Sequence, residues 1–136
     1  MVQIDITYEG DLHTNARHEP SGAELTTDAP KDNEGLGESF SPTDLLATAL
    51  GSCMVTIMGI YARRKDLDIR GTTVRVEKRM TMDPVRRIGK LVVRFGMPAG
   101  IPEEHRPALA RAAAACPVHK SLHPDVERPV EFCYPD

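Results

Sequence analysis

One long apolar run, residues 45–62, constrains the fold of this chain more than any other feature. Ser41 suits the N-cap position ahead of it, and Pro42 suits the first helical position, where its missing N–H costs no hydrogen bond. Asp44 falls in the first turn, where the helix dipole favours negative charge. Apolar residues then occupy every face, a pattern typical of a helix buried all round. We therefore predict a central helix over residues 42–65.

Three interpretations of this helix compete. A membrane span needs roughly 20 apolar residues, but Thr48, Ser52 and Thr56 interrupt the run and strand-like segments flank it. A purely structural helix would hold Cys53 as a small apolar residue, because free cysteine is among the most buried residue types. In the third interpretation Cys53 is a reactive thiol near a partner group. Periodicity and composition do not separate the last two.

Length, charge and cysteine content narrow the class of protein. A chain of 136 residues suits a single domain, residues 1–136, with a sizeable core. The formal charge of −3 and the isoelectric point near 5.9 give no electrostatic reason to expect nucleic acid or an anionic membrane as a partner. Residues 1–8 do not resemble a signal peptide. Three scattered cysteines do not form a secreted disulfide framework, so we expect a cytoplasmic protein.

Alternation of apolar and polar residues predicts strands on both sides of the helix. The segments with this pattern are residues 2–8, 12–17, 23–27, 72–82, 88–97 and 130–134. Residues 72–82, with Met82 on the same side as Val74, should pair with residues 88–97 in an antiparallel hairpin. A second helix should open at Glu103 and turn Cys116 inward, before a short helical piece near residues 118–122. The order indicates an α+β fold with antiparallel sheets around a long buried central helix.

The burial of the central helix raises the question of a partner chain. Five or six short strands of one small chain are hard to spread around a helix that is apolar on nearly every face. Two such helices packed against each other in a homodimer would satisfy the burial requirement, and we predict a homodimer on that ground.

Cys53 and Cys116 are a candidate redox pair. In such a pair one thiolate becomes a sulfenic acid and the second thiol condenses with it to a disulfide, which requires Cα atoms within about 7 Å. Free cysteine has a pKa near ~8.5 and needs help to ionise. Cys53 lies about three turns into its helix, too deep for the dipole, whereas Cys116 before Pro117 could cap a new helix. Two structural cysteines remain the alternative.

A metal site is a further alternative, because Cys116, His119 and His123 have the spacing C-x-x-H-x-x-x-H. One helical face could present all three to a tetrahedral zinc ion. Pro117 and a second proline after His123 disturb that helix, and no second Cys/His cluster completes the set. The remaining histidines, which lie among polar residues, are expected to be exposed, and Cys133 receives no role.

At this point the sequence resembles the OsmC/Ohr family of thiol-dependent peroxidases. The resemblance rests on SPTDLL at residues 41–46, ALGSC at 49–53 and CPVH at 116–119, and it extends over nearly the whole chain. It implies an intertwined homodimer with active sites at the subunit interface and with no metal or organic cofactor. Cys53 would be the peroxidatic cysteine and Cys116 the resolving one. Organic hydroperoxides would be the substrates, and a lipoyl-type dithiol would be the reductant.

The resemblance also implies supporting residues, an arginine that stabilises the thiolate and a glutamate that holds the arginine. Thr43 stands where the glutamate of the hydroperoxide resistance group would fall, so Asp44 or Glu38 would have to substitute. Arg17 is the arginine available before the central helix. Should this support be missing, the chain would instead be a non-catalytic member of the same fold that binds a lipophilic ligand at its dimer interface.

Overall fold

The computed structural model describes residues 1–135. Clustering of contacts divides the chain into two compact units, with the boundary between Leu46 and Ala47. The first unit holds three strands and the start of the central helix, and the second holds the rest of that helix, a second sheet and the remaining helices. The assignment of residues 1–136 to a single domain stays a prediction.

The first unit is built on an antiparallel sheet in the order β1-β2-β3. Its strands are β1 Ile4–Gly10, β2 His13–His18 and β3 Glu24–Asp28. The β1–β2 connection passes through Asp11 and Leu12, which both have positive φ, at 53° and 62°. Such angles suit a tight hairpin, because its twist matches that of the flanking strands. All three predicted strands are confirmed, to within two residues at each end.

A buried carboxylate holds the loop that leads from β3 to the central helix. Asp28 is 4% exposed. Its side chain accepts hydrogen bonds from the Glu38 N–H at 2.9 Å and from the His13 ring at 3.2 Å. These two hydrogen bonds, that of Glu38 first, lower the pKa of Asp28. His13 is therefore half-buried and paired, and its predicted exposure is wrong, because the strand register places it directly opposite Asp28.

The acid sensitivity of this loop anchor is testable. Folding lowers the Asp28 pKa below 3.8, so ionised Asp28 contributes stability above that pH and the contribution is lost as the pH falls through the lower, folded pKa. We expect Asp28→Asn to be less stable than wild type near pH ~6 and the difference to shrink towards pH ~3. Urea unfolding followed by circular dichroism measures it. Asp5→Asn, at an exposed carboxyl of β1 in the same sheet, is the control, and an equal effect there would refute the anchor.

The second unit contains a sheet in the order β4-β5-β6. Its elements are β4 Thr73–Thr81, β5 Arg87–Gly96, α2 Arg106–Ala114, α3 Pro117–Ser121 and β6 Val130–Cys133. The β4–β5 hairpin is confirmed as antiparallel, whereas β6 pairs parallel with β5. An irregularity between Arg79 and Met80 breaks the alternation of β4. Strand β4 ends at Thr81, so Met82 lies beyond the strand and is 71% exposed, and its predicted place beside Val74 is wrong.

The central helix, α1, spans Pro42–Arg64, as predicted to within one residue. In the single chain it buries one face, formed by Ala47, Leu50, Gly51, Met54, Met58 and Ala62. Leu46 and Ile60 are 40% and 42% exposed, so the single chain leaves part of the helix uncovered. By length and composition alone α1 could cross a membrane, a property that the core helices of soluble proteins share.

The buried face of α1 belongs to the main apolar core of the second unit. Leu50, Met54 and Met58 join one cluster with Leu91, Val93 and Phe95 of β5 and with Leu109 and Ala113 of α2. Phe95 stacks on Phe132 of β6, with ring centroids 4.8 Å apart and planes within 9°. Alternate β5 residues thus form the floor on which the helices pack.

Gly51 sets how closely α1 approaches β4. A Cβ added at Gly51 would lie 2.8 Å from Cγ2 of Val76 and 3.2 Å from Cγ1 of Val74. Valine side chains are stiff and cannot move aside freely. The helix is therefore packed against the strand at a distance that a larger residue would not permit.

We expect Gly51→Ala to be less stable than Gly59→Ala by roughly 1–3 kcal/mol, the usual cost of overpacking a core. Gly59 is the matched control, because it lies in the same helix and its added Cβ would meet nothing within 4 Å. Both substitutions gain similar helix propensity, so their difference isolates the contact with Val76. Urea unfolding of the two variants measures it, and equal stabilities would contradict this packing.

Candidate active site

The second unit brings Cys53 and Cys116 together. Cys53 lies on α1 and is half-buried, while Cys116 has no exposed surface. Both side chains pack in the same apolar cluster, and the neighbouring Cys53 raises the pKa of the Cys116 thiol. Both thiols are free. The two cysteines predicted as a pair are therefore neighbours, and they differ in their access to solvent.

Cys116 owes its position to the proline that follows it. A residue before proline is disfavoured in the helical region, and Cys116 accordingly takes an extended conformation, φ −64° and ψ 139°. Helix α2 has already ended, and Cys116 becomes the N-cap of α3, with Pro117 at the first helical position. Its sulfur accepts a hydrogen bond from the His119 N–H at 3.1 Å. The possibility that Cys116 caps a new helix is thus confirmed, and its placement on the inner face of the second helix is wrong.

Burial is the main influence on the Cys116 thiol and raises its pKa. The His119 N–H opposes this effect, while the hydrogen bond and charge of Cys53 reinforce it. A protonated Cys116 can donate its S–H to a neighbouring sulfur, which is the arrangement that an attacking thiolate at Cys53 would use.

His119 contacts the pair through its backbone N–H, which donates to the Cys116 sulfur. Burial lowers the pKa of His119, and the nearby charges of Arg128 and Lys120 lower it further. Its carbonyl oxygen accepts a hydrogen bond from Arg128 at 2.8 Å. Within residues 1–135, no group of three His, Cys, Asp or Glu side chains is arranged to hold a metal ion. The spacing of Cys116, His119 and His123 therefore does not form a zinc site in that part of the chain.

The other predicted site residues belong to the first unit. Arg17 is exposed on β2, opposite Asp5 and Glu24 on the neighbouring strands. Glu38 is exposed and uses its backbone N–H to bind Asp28. The roles of Arg17 and Glu38 in catalysis stay predictions.

Asp44 has a structural task at the start of α1. Its carboxylate accepts the Ser41 N–H at 2.9 Å, and its own N–H donates to the Ser41 hydroxyl at 3.1 Å. This reciprocal pair is a capping box, which satisfies two backbone donors at the helix start. A catalytic role of Asp44 also stays a prediction.

Comparison with known proteins places this arrangement in a family. The profile of the family described as OsmC-like protein matches residues 35–128, which include both cysteines. This chain belongs to the OsmC-like family. No curated protein matches it significantly.

Solved structures support the same assignment. A crystal structure from Psychrobacter arcticus 273-4, assigned provisionally as an osmotic stress induced and detoxification response protein, is 46% identical, with a TM-score of 0.92. The match covers 98% of this chain and 96% of that chain. An organic hydroperoxide resistance protein OsmC from Legionella pneumophila is 13% identical, with a TM-score of 0.78 and coverage of 97% and 96%. An OsmC like protein from Mycoplasma pneumoniae, 16% identical with a TM-score of 0.81, covers 98% and 96%. The last two show the shared fold, and membership of the family supports a redox role.

Proposed function

We propose that this protein is a thiol-dependent peroxidase that reduces organic hydroperoxides through Cys53 and Cys116. One observation carries the proposal: two free thiols pack in the same apolar cluster, one half-buried and the other without exposed surface. A half-buried thiol can meet a peroxide, and a buried neighbour is protected from direct oxidation until the first has reacted. The name of the Legionella pneumophila relative, an organic hydroperoxide resistance protein, supports this choice of substrate class.

The chemistry proceeds in three balanced steps. The Cys53 thiolate attacks the distal peroxide oxygen and breaks the O–O bond, and with one proton this yields a Cys53 sulfenic acid and an alcohol. The Cys116 thiol then condenses with the sulfenic acid, which forms the Cys53–Cys116 disulfide and releases water. A dithiol, of the lipoyl type, reduces the disulfide and is itself oxidised to a disulfide. Supporting roles of Arg17, Glu38 and Asp44 in the reaction belong to this proposal, as does a cytoplasmic location.

The first test is the intact mass of reduced protein before and after one equivalent of cumene hydroperoxide, without added reductant. We expect a loss of two hydrogens that maps to a Cys53–Cys116 disulfide. The Cys133→Ser variant should behave like wild type, because Cys133 is exposed on β6 and lies outside the proposed pair. An unchanged mass with both thiols still alkylatable would overturn the proposal and favour a lipophilic-ligand-binding protein.

Two further variants separate the roles within the pair. Cys53→Ser should abolish peroxide consumption entirely, because it removes the attacking thiolate. Cys116→Ser should permit one oxidation and then stop at the sulfenic acid, or continue to higher oxidation states. Wild-type consumption by Cys53→Ser would remove the peroxidatic role from Cys53.

We also propose that two copies of this chain form a homodimer. Ile4, Ile6 and Tyr8 of β1 are 57%, 67% and 64% exposed, and α1 leaves Leu46 and Ile60 exposed. Uncovered apolar side chains in such numbers are typical of an interface, and a second copy of the same helix and strand would bury them. We expect light scattering to give a mass about twice 15.0 kDa. A monomer at micromolar concentration would refute the dimer.

A further inference from the structure

The geometry points to Cys53 as the sulfur that the reductant attacks, and to Cys116 as the thiolate that leaves, stabilised by backbone N–H groups at the start of α3. This inference rests on the proposed function, because it concerns the disulfide that the proposed reaction forms. It states which of the two sulfurs the reductant attacks, and the formation of a Cys53–Cys116 disulfide alone does not determine this. Either sulfur of a disulfide can be attacked, and the choice depends on access and on the leaving group.

Access favours Cys53. A thiolate must reach the sulfur that it attacks, and Cys116 has no exposed surface while Cys53 is half-buried. Cys116 is held in the core cluster together with Leu109 and Ala113 of α2, so the path to its sulfur is filled by packed side chains. An attacking thiol can therefore reach the disulfide at Cys53, which is half-buried on α1.

Backbone N–H groups near the Cys116 sulfur affect how readily it leaves as a thiolate. Pro117 has no N–H, so the first donors of α3 are the N–H groups of Val118 and His119. The His119 N–H donates to the Cys116 sulfur at 3.1 Å, and both groups lower the pKa of the Cys116 thiol against the effect of burial. Burial raises the pKa of Cys116 on balance. A thiol of lower pKa leaves faster in disulfide exchange, so the His119 N–H makes Cys116 a faster leaving group than burial alone would allow. These donors lie where negative charge develops as the S–S bond breaks.

The influence of Cys53 on this leaving group disappears in the oxidised protein. The hydrogen bond and the charge of Cys53 both raise the pKa of the Cys116 thiol in the reduced pair. In the mixed disulfide Cys53 carries neither a proton nor a charge, so the backbone donors of α3 act on Cys116 without this opposition. The departing Cys116 thiolate is therefore opposed by burial but no longer by Cys53.

The exchange step needs no oxidant or reductant other than the attacking dithiol. The thiolate of the reductant forms an S–S bond to Cys53 as the Cys53–Cys116 bond breaks, and the electron pair of that bond leaves on Cys116, which then takes a proton. A second thiol on the same reductant then attacks its own sulfur in the mixed disulfide, which releases Cys53 and completes the oxidation of the reductant. A dithiol fits this scheme, because the mixed disulfide forms at the accessible cysteine.

The site of attack can be trapped with a monothiol, which cannot complete the second exchange. Cys133→Ser protein is oxidised with diamide, so that the disulfide forms without peroxide chemistry, and is then treated with one equivalent of glutathione, quenched with acid and mapped by peptide mass. We expect glutathione on Cys53 and a free, alkylatable Cys116. Glutathione on Cys116 would overturn the inference and leave the peroxidase proposal intact. Failure of diamide to form the Cys53–Cys116 disulfide would remove the pair, and with it both proposals.

The effect of the His119 N–H on the leaving Cys116 thiolate can be tested with a variant that lacks this N–H alone. Cys116 is itself a ligation site, so a synthetic segment of residues 116–136 can carry an ester in place of the amide between Val118 and His119. The matched control is the same semisynthetic protein with the natural amide. We expect the ester protein to be reduced by glutathione about tenfold more slowly, because one hydrogen bond to the departing sulfur is lost. Rates within about twofold of each other would refute the role of the His119 N–H.

Circular dichroism and thermal unfolding of the ester protein and its control verify that both fold. The attachment site of glutathione in the biosynthetic protein is decisive even where the ester protein does not fold, because that experiment needs no change near α3.

Discussion

The close packing of α1 on β4 is the contact on which the candidate site depends. It is possible because Gly51 has no side chain where Val74 and Val76 approach. Cys53 lies two residues further along the same helix. The closeness of the helix to the strand therefore also determines how far the Cys53 sulfur is buried. Cys116 reaches the same cluster from another direction, at the junction of α2 and α3. Two thiols distant in sequence become neighbours because each is carried by an element with little freedom to shift.

Local features of the sequence were sufficient to predict most elements of the fold. The alternation of residues 2–8 and 88–97 gave the strands, and Ser41-Pro42 gave the start of α1. Pro117 also restricted Cys116 strongly enough to suggest a helix cap there, because the effect of proline on the preceding residue is local. In each case the physical cause lies within a few residues of its result.

Features that depend on distant residues were not predictable in the same way. The parallel pairing of β6 with β5 joins segments more than 30 residues apart, and the alternation of Val130 and Phe132 is compatible with either direction. The His13–Asp28 pair follows from the register of two strands, which leaves no mark in the spacing. The proximity of Cys53 to Cys116 is of the same kind. The sequence pattern placed Cys53 on α1 and wrongly placed Cys116 on the second helix, and only tertiary packing brings the two together.

The segment from Cys116 to β6 is held at both ends, and this has a consequence for the proposed disulfide chemistry. Arg128 binds the carbonyl of His119, and the backbone of Glu127 and Pro129 accepts hydrogen bonds from Leu91 and Val93 of β5. Helix α3 therefore connects the core to the second sheet, and hydrogen bonds restrain the segment that follows it. In the proposed reaction a sulfur held in this way would return to the same place after each S–S bond is broken, so Cys116 would meet Cys53 again without a search.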